Sequence, residues 1–261
     1  MKYKLNVDKN IEQNYMEELL AYRGVKNISS FLNPDILNLN SPELLDNIQE
    51  GYELLFKHIS NKILFIVDCD VDGFTSSAIL WQYIKILNPE ADLNFRVHDG
   101  KQHGLEDIME YIEEHQDISL VILPDAGSND EEHFYTLKDF GIDTLVIDHH
   151  IVESESKKAV IINNQLSTNY PNKELTGAGM VYQFCRYIDY LNGTTYADYF
   201  IDLAALGIIS DMGSMIELEN RYICFNGLNN VTNGFFQEFV EKQSYSIGDR
   251  LTPIGIAFYI T

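Results

Sequence analysis

Ile63-Leu64-Phe65-Ile66-Val67-Asp68-Cys69-Asp70-Val71-Asp72-Gly73-Phe74-Thr75-Ser76-Ser77 is the stretch whose reading decides the fold. Its five leading apolar residues, three of them β-branched, read as a strand buried on both faces. Aspartates at alternate positions end the run. Gly73 permits a sharp turn, and Thr75-Ser76-Ser77-Ala78-Ile79-Leu80 opens a helix. In α/β folds, ligands sit at the carboxyl ends of strands. Three carboxylates gathered there repel one another unless a cation neutralises them, so the simplest reading is a divalent-metal site. A calcium loop of the EF-hand type is a poor alternative. That loop needs a Glu at position twelve and a helix in front, whereas position twelve from Asp68 is Ile79 and a strand precedes. A solvated acidic turn stays open for the triplet taken alone.

Outward from this stretch, composition narrows the class. A chain of 261 residues with 45% hydrophobic content can bury a sizeable core as one large α/β domain with small attachments. Cys69, Cys185 and Cys224 are far apart and form no C-x-x-C pair. This argues against a disulfide framework or a thiolate zinc site and leads us to expect a reducing, cytoplasmic location. Met1-Lys2-Tyr3-Lys4-Leu5-Asn6-Val7-Asp8 has no apolar signal core, and no apolar run is long enough for a membrane span. The net charge of −22 argues against a broad basic patch gripping duplex DNA. It leaves room for a nucleic-acid enzyme whose positive charge comes from metal ions and a few Lys or Arg.

The expected fold is α/β: a parallel-sheet core flanked by helices, with a helical N-terminal lead-in and a helical C-terminal segment. The expected divisions are residues 1–60, 61–215 and 216–261. In the lead-in, Tyr15 to Arg23 is amphipathic and Gly24 is a stop. Ile28 to Leu32 forms a short turn. Ser41-Pro42-Glu43 reads as N-cap, N1 and first-turn acid of a helix running to His58. Leu44, Leu45, Ile48, Tyr52, Leu55 and Phe56 would form its buried stripe. After the central strand, helix Thr75 to Leu87 leads to strand Leu93 to Val97 and a polar loop through Gly104. Helix Glu106 to His115, strand Ile118 to Leu123, helix Glu131 to Phe140 and strand Thr144 to Ile147 follow. A short strand, Val160 to Ile162, completes the set. Helices are expected from Gly177 to Tyr190 and Tyr196 to Ile209, with another capped by Asn220 and further apolar stretches at Phe235 to Val240 and Ile254 to Ile260.

Alternating strands and helices imply parallel strands with right-handed crossovers. The strands ending at Val67, Leu123 and Ile147 each run into an Asp within two residues. All those ends lie on one sheet edge, so Asp68, Asp70, Asp72, Asp125, Asp148, His149 and His150 can converge. Carboxylates and imidazoles without thiolates suit Mn²⁺ or Mg²⁺, and imidazole tilts the choice to Mn²⁺. The acids exceed the needs of one ion. Two ions about 3.5–4 Å apart would use them all and would serve phosphoryl-transfer hydrolysis. Gly177-Ala178-Gly179 allows close approach to a phosphate or, equally, plain helix packing.

Asp68-x-Asp70-x-Asp72-Gly73, Asp125-x-Gly127, Asp148-His149-His150 and Leu206-Gly207-Ile208-Ile209-Ser210-Asp211 resemble the four motifs of the DHH phosphoesterase family. Within it the chain is similar to the RecJ branch of single-strand-specific exonucleases. Phe31-Leu32-Asn33-Pro34 with Ser41-Pro42-Glu43-Leu44-Leu45, Thr176-Gly177-Ala178-Gly179-Met180 and Asn220-Arg221-Tyr222-Ile223 with Gly227-Leu228 carry the resemblance over nearly the whole chain.

The resemblance implies metal ligands at Asp68, Asp70, Asp72, Asp125, His149 and Asp211, with Asp125 as the bridge. His150 would be a ligand or touch phosphate near the scissile bond, and Asp148 would orient the histidines. Arg96, Lys101, His103, Gly177 and Gly179 would contact substrate. Two departures stand out. Ala126 occupies a position where RecJ relatives more often carry a polar residue or cysteine. Ile254 to Thr261 resembles the start of a stretch that leads, in RecJ proteins, to a second, substrate-gripping domain. The expectation is therefore a catalytic core, trimmed or minimal, that holds long strands weakly.

The leading functional expectation is a two-metal phosphodiesterase degrading single-stranded DNA in the 5′-to-3′ direction. A hydrolase of short oligonucleotides or cyclic dinucleotides stays open. So does a non-enzymatic scaffold whose acidic surface binds a replication or repair protein.

Overall fold

The computed structural model describes residues 15–98, 105–106, 108–153, 156–247 and 251–260. Five parallel strands form the sheet among these residues: β1 (Lys62–Val67), β2 (Asp92–Val97), β3 (Leu120–Pro124), β4 (Asp143–Asp148) and β5 (Val160–Asn163). They lie in the order β2-β1-β3-β4-β5. The helices are α1 (Tyr15–Tyr22), α2 (Ile28–Leu32), α3 (Ile48–His58), α4 (Val71–Leu87), α5 (Met109–Glu114) and α6 (Glu131–Asp139). After the sheet come α7 (Gly177–Asn192), α8 (Ile201–Ser210), α9 (Leu218–Asn229), α10 (Gly234–Ile247) and α11 (Pro253–Tyr259).

The apolar runs of β1, β3 and β4 arise because both faces of the sheet are covered. Ile63, Phe65, Val67, Leu120, Ile122, Leu145 and Ile147 join a core with residues of α3, α4, α7, α8 and α9. The alternate residues Leu64, Ile66, Val121, Leu123 and Val146 join a second core with α5 and α6. The chain winds from β1 outward to β2, then returns past β1 to β3, β4 and β5. The switch in direction falls between β1 and β3, where such folds open a crevice at the strand ends.

The expected helix from Pro42 to His58 is broken. Pro42–Leu44 is a single 3₁₀ turn, and α3 starts only at Ile48. Asn47 adopts the left-handed conformation at φ 63°, which Asn tolerates better than most residues. Long-range bonds hold the break open: Asn47 Nδ2 donates to the Ile161 carbonyl at 2.8 Å, and the Asp46 amide donates to Ser167 Oγ at 2.9 Å. Leu44 consequently leaves the expected stripe and stands exposed, while Leu45, Ile48 and Leu55 are buried. Asn220 does not cap a helix. It lies buried within α9 and donates to the carbonyls of Glu174 and Ser214. The lead-in is tied to the same helix, since Asn40 gives both its backbone and side-chain N–H to the buried Glu219 carboxylate.

Candidate metal centre

Register brings three of the acids level. Phe65 pairs with Ile122, and Ile122 with Leu145. Three residues beyond each stand Asp68, Asp125 and Asp148, on neighbouring strands about 4.8 Å apart. All three are buried.

The turn after β1 differs from the expected one. Helix α4 begins at Val71, with Asp70 as its N-cap accepting the Gly73 amide at 2.8 Å. Gly73 is therefore inside the first helical turn. A Cβ there would lie 2.6 Å from the Asp68 backbone oxygen, so glycine is needed for close approach and not for a turn. Asp70 stays exposed at the mouth of the crevice, whereas Asp72 points inward and is 1% exposed.

Asp72 is anchored by the start of α7. Its Oδ2 accepts the Gly177 amide at 2.7 Å, and its Oδ1 accepts the Ala178 amide and the Thr176 hydroxyl, each at 3.0 Å. Burial pushes its carboxyl up to about 7 in spite of these donors, and the Asp211 charge adds to the shift. Oδ2 still lies 4.0 Å from His149 Nε2.

Asp125 leaves β3 in the left-handed conformation, at φ 71°. Its amide donates to the Ile147 carbonyl at 2.8 Å, and the chain then turns out of the sheet. Its Oδ1 is buried with no hydrogen-bond partner. His149 Nε2 is 3.2 Å away, at contact distance. Burial, then the charges of Asp72, Asp148, Asp70 and Asp68, raise this carboxyl well above the usual range.

His149 Nε2 also lies 3.7 Å from Asp211 Oδ2, at the C-terminus of α8. Burial and the neighbouring His150 lower the His149 pKa, which favours the neutral ring that can ligate a cation. His150 is the opposite case. Its Nδ1 is 2.7 Å from Asp148 Oδ1, and that bond raises its pKa to about 9. Burial alone would raise Asp148, but His150 and the Ser128 side chain outweigh it and hold Asp148 well below the usual range. Asp148 thus orients the His150 ring. It meets His149 only through that residue's backbone amide, at 2.7 Å.

Among the described residues, three overlapping sets have ligand atoms within 4.8 Å of one another: Asp68, Asp70 and Asp125; Asp72, His149 and Asp211; and Asp125, Asp148, His149 and His150. The orphaned Asp125 oxygen, the surplus of carboxylates and the absence of thiolate from these sets fit hard divalent cations. Every expected metal ligand is in this group. An open cleft of ≈ 410 Å³, lined by Asp70, Val71, Asp72, Ser210 and Asp211, leads to it.

The expected substrate contacts fare differently. Arg96 pairs with Ile66, two residues short of the strand-end acids, and its guanidinium lies 3.7 Å over the Tyr111 ring. It stacks on α5 and not in the cleft. Gly177 and Gly179 are buried. The Gly177 amide is taken by Asp72, and a Cβ on it would lie 2.1 Å from Asp125 Oδ1. A Cβ on Gly179 would lie 2.3 Å from Leu175. Both glycines serve packing in place of the expected phosphate contact. Lys101 and His103 lie outside the described residues.

Sequence reasoning passed over the frame that holds His150. Asn163 Nδ2 donates to Ser128 Oγ at 2.9 Å and to the His150 carbonyl at 3.0 Å, while the Ser128 amide binds Asp148. The position of Ser128 just after the strand-end Asp125-x-Gly127 was its only signal.

Residues 62–208 match the model of the DHH family, N-terminal domain. The chain belongs to the DHH family. It is 39% identical over 253 residues to a putative SPbeta prophage-derived single-strand DNA-specific exonuclease, YorK, of Bacillus subtilis; this covers 96% of the chain and 43% of the relative. It is 28% identical over 244 residues to the single-stranded-DNA-specific exonuclease RecJ of Bacillus subtilis, covering 88% of the chain and 30% of that protein. This DHH chain thus spans less than half the length of these curated relatives. The fold is that of RecJ from Thermus thermophilus solved with Mn²⁺, with a TM-score of 0.75 at 23% identity over 92% of the chain and 35% of that structure.

Proposed function

We propose that this DHH chain is the catalytic part of a metal-dependent phosphodiesterase that degrades single-stranded DNA, acting in the 5′-to-3′ direction. The observation that carries the reading is Asp125 Oδ1: a buried carboxylate oxygen with no hydrogen bond, 3.2 Å from His149 Nε2 and among five other acidic or imidazole ligand candidates. A buried anion left in that state is costly unless a cation completes it. The relatives named as single-strand-specific exonucleases, and the RecJ neighbours solved with Mn²⁺ and with Mg²⁺, support the substrate and the ions.

In this reading Asp68, Asp70 and Asp125 would hold one cation and Asp72, His149 and Asp211 a second, with Asp125 next to His149 and so within reach of both sets. Bound Mn²⁺ or Mg²⁺ supplies an activated water and neutralises charge on the leaving oxygen. Asp148 fixes the ring of His150, and the cationic His150 faces the charge of a phosphate at the cleft. Cys69, Cys185 and Cys224 form no disulfide among the described residues, which suits the proposed cytoplasmic location.

The test is hydrolysis of 5′- and 3′-blocked single strands, a duplex and a dinucleotide in Mn²⁺. Nucleotide release from single strands with a free 5′ end is expected. Equal turnover in EDTA overturns metal dependence. Preference for the dinucleotide replaces the long-strand substrate. An Asp125→Ala protein that folds but does not turn over counts against a purely scaffolding role.

A further inference from the structure

One helical stripe leads away from the metal centre. From Asp70, the N-cap of α4, Phe74, then Ser77 with Ala78, then Trp81 recur every three or four residues along the helix. The Phe74 amide donates to the Asp70 carbonyl at 3.0 Å, so Phe74 sits one turn below an acid of the centre. Beyond Phe74 the stripe faces the edge strand β2. Between them is an apolar pocket lined by Phe65, Phe74, Ser77, Trp81, Phe95 and Val97 among others. Phe74 is 49% exposed and Phe95 57%, although both are large and apolar. The rings are ordered around the pocket. Trp81 meets Phe95 edge-on at 6.1 Å and Phe65, tilted, at 5.5 Å.

One polar atom interrupts this apolar lining. Ser77 is 6% exposed, and its Oγ is buried with no hydrogen-bond partner. A buried hydroxyl without a partner is unfavourable unless a ligand supplies one. The pocket measures ≈ 130 Å³. That is the size class of the roughly 150 Å³ cavity that admits a benzene ring, so it suits one planar ring and not a helix or strand of a protein partner.

We propose that this aromatic pocket between α4 and β2 is a nucleobase subsite, in which Phe74, Trp81 and Phe95 receive one base of the single strand and Ser77 Oγ bonds its polar edge. The inference rests on the single-strand reading of the metal centre and adds how the strand is gripped. Stacking on aromatic faces tolerates every base and needs no cation. That matters in a chain with 18 Lys and Arg against 40 Asp and Glu. The stripe from Asp70 supplies the continuity: a strand whose phosphate lies at the acids can lay a neighbouring base on Phe74.

Trp81 is the only tryptophan, so the pocket carries its own reporter. Titrating the full chain in EDTA with oligothymidine should quench Trp81 fluorescence, and an oligomer of abasic residues should not. Phe74→Ala and Phe95→Ala should each weaken the quench titration about tenfold and raise KM for single strands in Mn²⁺ by a similar factor, with kcat within twofold. Both side chains are half-exposed, and a circular-dichroism melt confirms that the variants fold. Hydrolysis of single strands by the parent protein with no quench, or with KM unmoved in both variants, overturns the subsite and leaves the nuclease reading standing. Base-dependent quenching without hydrolysis in any metal supports the subsite and overturns the nuclease.

Discussion

The carboxylate of Asp72 accepts the backbone amide of Gly177 at 2.7 Å, across 105 positions of sequence. With Ala178 and Thr176 as further donors, it fastens the N-terminus of α7 to the first turn of α4. The last acid of the Asp-x-Asp-x-Asp run is therefore as much a structural anchor as a candidate ligand, while Asp70 is exposed and caps its own helix.

That division predicts different behaviour from matching substitutions. Asp72→Asn places an amide N–H₂ against backbone donors and should cost about 1–3 kcal/mol. Asp70→Asn keeps a good N-cap and should change stability by less than about 0.5 kcal/mol. Both should lose nuclease turnover. Urea denaturation beside a Mn²⁺ activity assay checks the pair. Equal destabilisation by the two would refute the anchoring role.

Asp125 yields a prediction about metal. Its carboxyl is raised by burial and by four neighbouring acids, so its ionised form opposes folding when no cation is present. Asn tolerates the left-handed backbone at this position. Asp125→Asn should leave the metal-free Tm unchanged or higher, abolish the Mn²⁺-induced rise in Tm and cut turnover at least a hundredfold. For the parent protein, Mn²⁺ at about a hundred times its Kd should add ~2.7 kcal/mol. Thermal melts with and without EDTA measure both. A full Mn²⁺ shift in the variant would remove Asp125 from the site.

The strands were legible because a parallel sheet covered on both faces demands unbroken apolar runs, and each of residues 63–67, 120–123 and 145–147 is one. The acids were legible because they end those runs. What stayed hidden is non-local. No feature near Asp72 announces Thr176, Gly177 and Ala178 as its partners. The break at Asn47 depends on Ile161 and Ser167, more than a hundred residues away. Arg96 looked free to reach phosphate, but its direction is set by Tyr111 on the facing helix. The glycines at 177 and 179 were open between two readings, and only the position of Asp125 and Leu175 decides for packing.

The Asp148–His150 pair can be tested through pH. His150 is held protonated up to about 9 by its bond to Asp148. Asp148→Asn removes that charge, so the His150 pKa should fall towards the ordinary value near 6.5. Turnover at pH 7.5 should drop about 10- to 100-fold, as with other residues that orient an active-site ring. The deficit should narrow as pH is lowered towards 6, where His150 regains its proton without help. A loss of the same size at every pH from 6 to 9 would show that Asp148 acts by shape alone.

At the opposite end of β4, Asp143 gathers three cationic or ionisable side chains: Lys57 at 2.6 Å, Lys138 at 2.8 Å and His58 Nε2 at 2.9 Å. Burial alone would raise its carboxyl, but these donors outweigh burial and hold it well below the usual range. A carboxyl depressed in the folded state stabilises the protein above its unfolded pKa of about 3.9, and that contribution is lost as pH falls through the folded value. Lys57 and Lys138 are more than half exposed, so water screens most of their attraction and the net gain is about 1 kcal/mol. Asp143→Asn should therefore lower stability by ~1 kcal/mol at pH 7, with the difference from the parent protein shrinking below about pH 4. Nuclease activity should be unaffected, because Asp143 lies at the amino end of the strand whose carboxyl end carries Asp148. Urea midpoints across pH 3 to 7 provide the check, and a deficit that persists undiminished at pH 3 would assign the effect to packing and not to charge.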